Sequence, residues 1–500
     1  VSSGKVHSVF PNSTDADFDF NRDSDATRVN SEGLIERVGY YGSELVTNGD
    51  FAANTNWSFV GDGSISNGQL ILPCCISNNR VSQSIGMSSS KSYKLEINIT
   101  EITSGDTIDF LQGGAWTSFG TQLGINTVII TNPSDADLFL RNNSGTSRIK
   151  IDNVSVKEVT GDRARLNYEI EGGLVNTKPS LLLEPQSTNL VTYSEDFSQW
   201  VVDGQASIST DSIISPDGTK NSDKLIAGTT SARQSIKLSL SYTGNLAFSI
   251  FAKKGEYSVI QLTDAQNASA FANFNLETGA VGSTGVYTAS MVDMGNDWYR
   301  CIITWNASIA IVAVRVGIVT TPTSARVEQF AGNGINGLYI YGAQLEQQSY
   351  PTSYIPTNGS TQTRAAETCN GAGTSSIFES SEGILYAEIA ALANSTNYRV
   401  ISISDGTTSN VVRFYYSPTA NRVGVNLRSN SANVFSIANL SITNALEFIK
   451  IAVSYKLNNF KIYINGTQVQ SYTSGNIPIG LNELAFDNGA GNDVFYGKIR

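Results

Sequence analysis

A single histidine, His7, serves the whole chain of 500 residues. Ser-His-Asp and Cys-His catalysis and multi-histidine metal sites all need that residue type close to the reacting groups, so these chemistries are set aside. No phosphate-cradling loop or dinucleotide fingerprint occurs. Paired carboxylates remain open, because a glycosidase needs only two of them roughly 5–10 Å apart and the chain has 44 Asp and Glu. Pairs such as Glu195 and Asp196 read as solvated turn residues. Asp15, Asp17 and Asp19 alternate with Ala16, Phe18 and Phe20, but a calcium loop would need glycine where Phe20 stands and a bidentate glutamate where Ala26 stands. An extended acidic strand packed through Phe18 and Phe20 is expected instead. What remains is recognition. Sugars are held by aromatic faces and by amide and carboxylate hydrogen bonds. Trp116, in the run Gly113-Gly114-Ala115-Trp116, has no strand pattern around it, so it reads as a ligand platform, or else as a loop anchor or subunit contact. Tyr415 and Tyr416 are adjacent, so one of them points outward if both lie in a strand, and the pair is a candidate ligand contact.

The elements that would carry such residues are strands. Charged residues are 15% of the chain and hydrophobic ones 40%, with 44 Gly and 21 each of Tyr and Phe. β-Branched and aromatic side chains suit pleated surfaces, and Gly and Asn suit tight turns. The expected class is all-β: tandem β-sandwich (jelly-roll) modules behind an extended N-terminal arm. The net charge of −11 argues against nucleic-acid or anionic-membrane partners, which call for a basic face. No apolar run approaches the ~20 residues of a membrane span. Cys74, Cys75, Cys301 and Cys369 lack zinc spacing and read as small buried hydrophobes of a protein made in reducing cytoplasm.

In chain order, 1–43 is the arm. Residues 44–160 open on Leu45–Phe51 and Trp57 and close on the alternating run Ile149–Val156, with Tyr93, Leu95, Ile97 and Ile99 between, the pattern of a sandwich. A connecting segment, 161–187, precedes a second module, 188–348, which repeats the first one's opening and closing pattern with Asn189, Asp196-Phe197 and Trp200, then Leu338–Glu346. Trp57, Trp200, Trp298 and Trp305 fall on patterned strands and are expected in cores. Residues 349–375, rich in Thr, Ser, Gly and Pro, read as a linker. In 376–500, Ile449, Ile451, Val453 and Tyr455 share a face, and Asn465-Gly466 is a strong hairpin signal. The chain opens at Val1 without a signal-peptide pattern and stops at Gly497–Arg500 in what reads as mid-strand, so a fragment with a truncated third module is expected.

Three stretches carry a resemblance. Ala26-Thr27-Arg28-Val29-Asn30 with Gly33-Leu34-Ile35-Glu36, then Pro179–Trp200, then Ser353-Tyr354-Ile355-Pro356-Thr357 with Thr363-Arg364 resemble the domain of bacteriophage head-fibre and tail-fibre proteins. Arg165-Leu166-Asn167-Tyr168 resembles the step that in that family follows the Gly-Leu-Ile-Glu segment almost directly, so the first module reads as an insertion. The ends of the first two modules are similar to galactose-binding-like jelly rolls. Ile449–Gly466 is similar to the strand pair of concanavalin-A-like, laminin-G-like lectin domains. Jelly rolls of the first kind often hold a structural calcium, which the resemblance places at Asp50 and Asp152; the second module has Gln344 where the second acid would stand. The family implies a non-enzymatic virion structural protein, assembled in host cytoplasm and attached to head or tail. Its partners would be other virion proteins and cell-surface glycans, and a trimer is the expected homo-oligomer. A purely architectural component and a glycan-depolymerising spike are the alternative readings.

Overall fold

The computed structural model describes residues 5–6, 18–22, 24–38, 41–73, 79–89, 91–103, 106–112, 114–120, 122–131, 133–143, 148–159, 164–264, 267–394 and 397–500. His7, Asp15, Asp17, Cys74 and Cys75 lie outside them. The described chain is all-β, with strands paired antiparallel into facing sheets. It divides into two compact units, Gly39–Gly161 and the remainder, Val1–Val38 with Asp162–Arg500.

The smaller unit is a sandwich. One sheet orders Gly124–Thr131, Ser92–Glu101, Ile149–Val159, Gln69–Leu72 and Ser64–Ser66, with Tyr41–Glu44 on Ile149–Val159. The other orders Ala115–Gly120, Ile108–Gln112, Asp137–Asn142, Arg80–Ser84 and Ser58–Val60. Alternation along Ser92–Glu101 sends Tyr93, Leu95, Ile97 and Ile99 into a core shared with Trp57, Phe110 and Leu140, as a half-buried strand requires.

In the larger unit, two strands of unusual length, Ala232–Lys253 and Trp298–Ile318, pair from Gln234↔Ile318 to Lys253↔Trp298. Their register breaks between Ser239 and Gly244, where bulging increases bend and twist. Their two halves serve different strand neighbours: Trp298–Ile318 pairs with Val259–Asp264 through one half and with Thr288–Asp293 through the other. Trp200, Trp298 and Cys301 are buried there and Trp305 is partly buried against Tyr287. The last module faces a seven-stranded sheet with a five-stranded one. Its hairpin turns at Asn465-Gly466 with both residues at positive φ, 49° and 80°, the backbone that a two-residue turn matched to strand twist demands.

Two segments differ from expectation. Residues 161–187 do more than connect: Arg165–Asn167 and Ser180–Leu183 extend the seven-stranded sheet, and Leu181–Leu183 pairs with Gly497–Ile499. All four residues of Ser180–Leu183 are buried, which a leucine triplet needs because its side chains emerge on both faces. Residues 349–375 are not a solvated linker. Tyr354, Ile355, Arg364, Glu367 and Cys369 are buried, Gln362–Arg364 pairs with Ser187–Asn189, and Thr368–Asn370 pairs with Phe18–Asn21 of the arm. Their Ser and Thr hydroxyls serve buried charges, described below, so a polar composition misrepresents their burial. In the arm, Phe20 is buried and Phe18 stacks on Phe486 with centroids 4.8 Å apart.

Each unit has its own core cluster. Excising Gly39–Gly161 and joining Val38 to Asp162 is therefore expected to leave a soluble protein with a cooperative melting transition. Calorimetry of the excised variant checks this, and aggregation or loss of the transition would contradict it.

Candidate functional site

In the smaller unit, the sheet containing Trp116 turns Ile108, Phe110, Leu138 and Leu140 inward, so the residues between them form its outer face. Trp116 lies on the strand Ala115–Gly120, not in a loop. The strand is not legible in the sequence because its neighbours are small or polar, and it is established by pairing with Ile108–Gln112 rather than by its own periodicity. Cross-strand registers place the outer residues in two rows. Arg141 stands opposite Asp109, which stands opposite Ser118; Ser82 stands opposite Phe139, and Leu111 opposite Trp116.

The rows are chemically locked. Arg141 donates from Nε (3.0 Å) and Nη2 (2.8 Å) to Oδ2 of Asp109, whose Oδ1 accepts from Ser118 Oγ at 2.5 Å. Asp109 is 1% exposed, so the guanidinium is held in place by a desolvated anion. From there it lies 4.3 Å from the centroid of the Trp116 ring. Arg80 sits 5.5 Å from the Phe139 ring in the same way. Trp116 and Phe139 are half-buried and Arg80 is exposed. Two aromatic side chains, two guanidiniums and the Ser82 and Ser118 hydroxyls thus share one face, and the Arg141 held by Asp109 has little side-chain entropy left to lose on binding.

Tyr415 and Tyr416 part company in the last module. Tyr416 is fully buried, donates from its hydroxyl to Ile389 O at 3.1 Å and lies under the Arg399 guanidinium at 4.9 Å, so it is a core residue and not a ligand contact. Tyr415 faces outward, half-buried, over Gly424, where a Cβ would come within 2.2 Å of its ring. Tyr398, 47% exposed, meets it edge-on with centroids 5.4 Å apart. No periodic pattern singles out Tyr398, since it precedes the strand Arg399–Ser404.

Asp50 and Asp152 are both exposed. Among the described residues no three His, Cys, Asp or Glu gather as a metal site. Glu195 is not the solvated turn residue expected: its carboxylate accepts from the Tyr341 (3.1 Å) and Tyr354 (2.9 Å) hydroxyls, and burial pushes its pKa up. Tyr341 also donates to Asp217, at 3.0 Å. Asp217 is further engaged by Ser215, Thr219 and Asn221, which fills it with structural donors.

The segments that resemble the fibre proteins converge on buried charge. Arg165, wholly buried, reaches Glu184 Oε2 (2.8 Å), Glu367 Oε1 (2.8 Å) and Oε2, the Thr27 carbonyl (2.9 Å) and Ser353 Oγ (2.6 Å). Arg22 bonds Glu367 at 2.7 Å and Arg364 pairs with Glu184 at 3.0 Å. Glu346 takes Ser187 Oγ at 2.6 Å and Thr352 N at 2.9 Å. Nearby, Arg28 pairs with Glu36 at 2.6 Å and Val29 N donates to Asn167 at 2.9 Å. Removing any one of these residues would leave another uncompensated; they hold strands together.

Burial pushes the Glu184 carboxyl up, but the Arg364 and Arg165 guanidiniums outweigh it and hold its pKa at about 2, against 4.5 ordinarily. A depressed carboxylate gives stability that is present above its unfolded pKa and lost as pH falls through the folded one. Glu184 is thus expected to add roughly 3 kcal/mol near neutrality, declining between 4.5 and about 2. Denaturant midpoints measured across that window should fall with pH in the parent, with the slope reduced in Glu184→Gln.

No family model matches the chain, and no curated protein matches it. Solved structures give partial likenesses. The tandem CBM22-1-CBM22-2 domain of Paenibacillus barcinonensis Xyn10C is 12% identical, with 62% of this chain and 98% of that one covered, at a TM-score of 0.20. Domains LG4-5 of the mouse laminin alpha1 chain are 12% identical over 55% of this chain and 85% of theirs, at 0.18. A biofilm-associated protein BSP domain is 10% identical over 82% and 96%, at 0.15. At such scores the argument rests on the residues themselves.

Proposed function

We propose that this chain is a non-catalytic, glycan-contacting component of a bacteriophage particle, a head- or tail-attached fibre built of β-sandwiches. The observation that carries glycan contact is the outer face with Trp116, Phe139, Arg80 and the Asp109-locked Arg141. Apolar sugar faces pack on aromatic rings while hydroxyls meet fixed polar groups, and an open sheet surface buries little ligand, so each contact is weak. Tyr415 with Tyr398 gives a second aromatic surface. The attribution to a virion, assembled in host cytoplasm and contacting other virion proteins, is supported by the resemblance of the three segments. Weak sites become useful when multiplied, which favours a homo-oligomer, and the resemblance to fibre proteins implies a trimer. No helix among the described residues is long and apolar enough to cross a membrane.

The test is a glycan array with the intact chain, run beside an assay for newly released reducing ends. Binding without release is the expected result. Release of sugar would overturn the non-catalytic reading, and an array without binding would favour a purely architectural component.

A further inference from the structure

The second module carries a concentration of positive charge that its acidic chain does not lead one to expect. On one sheet face, Val201 stands opposite Lys237, Lys237 opposite Arg315, and Arg315 opposite Thr263. The adjacent row runs Asp203, Ser235, Gly317, Gln261, Asn273. Asp203 is therefore the shared anion of three cations: Arg315 Nε at 2.6 Å, Arg233 Nη1 at 3.2 Å and Lys237 Nζ at 3.5 Å.

A fourth cation comes from the chain that crosses this face. Residues 322–327 lie over it through the Pro322 and Ser324 carbonyls, which accept from Asn273, the Ala325 carbonyl, which accepts from Gln261, and Val327 N, which donates to Gln261 Oε1 at 2.6 Å. Arg326 donates to neutral oxygens: Thr263 Oγ1 (2.9 Å), Ala270 O (3.2 Å) and Asp264 O (2.6 Å). Two further carboxylates are near, each engaged by the backbone. Asp264 accepts from Asn267 N, and Glu328 from Thr320 N and Oγ1. A cavity of about 10 Å³ opens among Arg233, Ser235, Arg315, Ile318, Val327 and Glu328, about the room of one water. Beside Arg326, Val327 holds φ 49°, a left-handed backbone that costs a β-branched residue of order 1–3 kcal/mol and is found where surroundings enforce it. Desolvation and then Arg315 lower the Arg326 pKa, while Asp264 and Tyr287 act to raise it.

We propose that this face binds the acidic groups of an anionic polysaccharide, with Arg233, Lys237 and Arg326 as the contacting cations and Arg315, held by Asp203, behind them. Arg233 and Lys237 retain exposed side chains, at 44% and 31%. The patch is narrow and the chain carries −11 overall, which suits spaced acidic sugars and disfavours the dense phosphates of nucleic acid. The site lies in the larger unit and shares no residue with the Trp116 face in the smaller one.

The test immobilises polygalacturonate, dextran sulfate, neutral dextran and duplex DNA, and measures capture of the intact chain at about 50 and about 300 mM salt. Capture on polygalacturonate, dextran sulfate or both is expected, weakening at the higher salt; polygalacturonate assigns a carboxylate and dextran sulfate a sulfate. The double variant Arg233→Gln/Lys237→Gln, with unchanged melting, is expected to lose about fivefold or more, whereas Trp116→Ala should leave polyanion capture intact. No capture on either polyanion at low salt, undiminished capture by the double variant, or equal capture on DNA would overturn the proposal. Because the proposed function is read on the glycan array and through Trp116, failure here and failure of that reading are separate results.

Discussion

Arg165→Met is expected to destabilise the larger unit by on the order of 3–5 kcal/mol, the largest effect of any single substitution considered. The guanidinium is fully buried and is shared by Glu184 and Glu367, the Thr27 carbonyl and the Ser353 hydroxyl. Methionine fills much of the volume but leaves two buried carboxylates short of donors. Arg364 and Arg22 still reach one each, so the unit should fold, melting on the order of 10 °C lower. Adding Glu367→Gln to Arg165→Met should cost less than the sum of the single changes, because both remove the same Arg165–Glu367 pair. Thermal and denaturant unfolding check this. A loss of under about 1 kcal/mol for Arg165→Met would mean that the buried charges do not hold the strands together.

Trp116→Ala is expected to act in the opposite manner, sparing stability and removing attachment. Asp109 retains Arg141 and Ser118, and the half-buried indole lies outside the core cluster. The lost stacking area is worth about 1–2 kcal/mol per site, or roughly five- to thirtyfold in affinity. When several copies engage one surface the losses multiply, so attachment to a glycan-coated surface should fall by about 10²-fold or more. Undiminished attachment by a folded Trp116→Ala protein would remove this residue from the site.

The class of fold was legible because strand periodicity is local. Tyr93 to Ile99 and Ile449 to Tyr455 alternate, and the structure alternates with them. Asn465-Gly466 states its turn in two residues. What escaped notice depends on partners distant in sequence. Glu367 is an unremarkable acid until Arg165, 202 positions away, reaches it, and residues 349–375 look solvated because their hydroxyls say nothing of the charges they meet. The outer face of the smaller unit was half visible: Trp116 stood out by type, but Arg141, Asp109 and Phe139 join it only through cross-strand register. Which of the two adjacent tyrosines faces inward is hidden for a related reason. Alternation says that one of them points inward without saying which, and the choice is made by the core residues Phe414 and Val412 on its own strand.

The most direct measurement is a crystal structure of the intact chain soaked with the oligosaccharide that binds best on the array. The account predicts a sugar ring packed against Trp116 or Phe139 on the outer sheet face, with hydroxyls hydrogen-bonded to Arg80, Ser82 or Ser118, and Arg141 still on Asp109. A sugar bound away from that face, with Trp116 uncontacted, would contradict it.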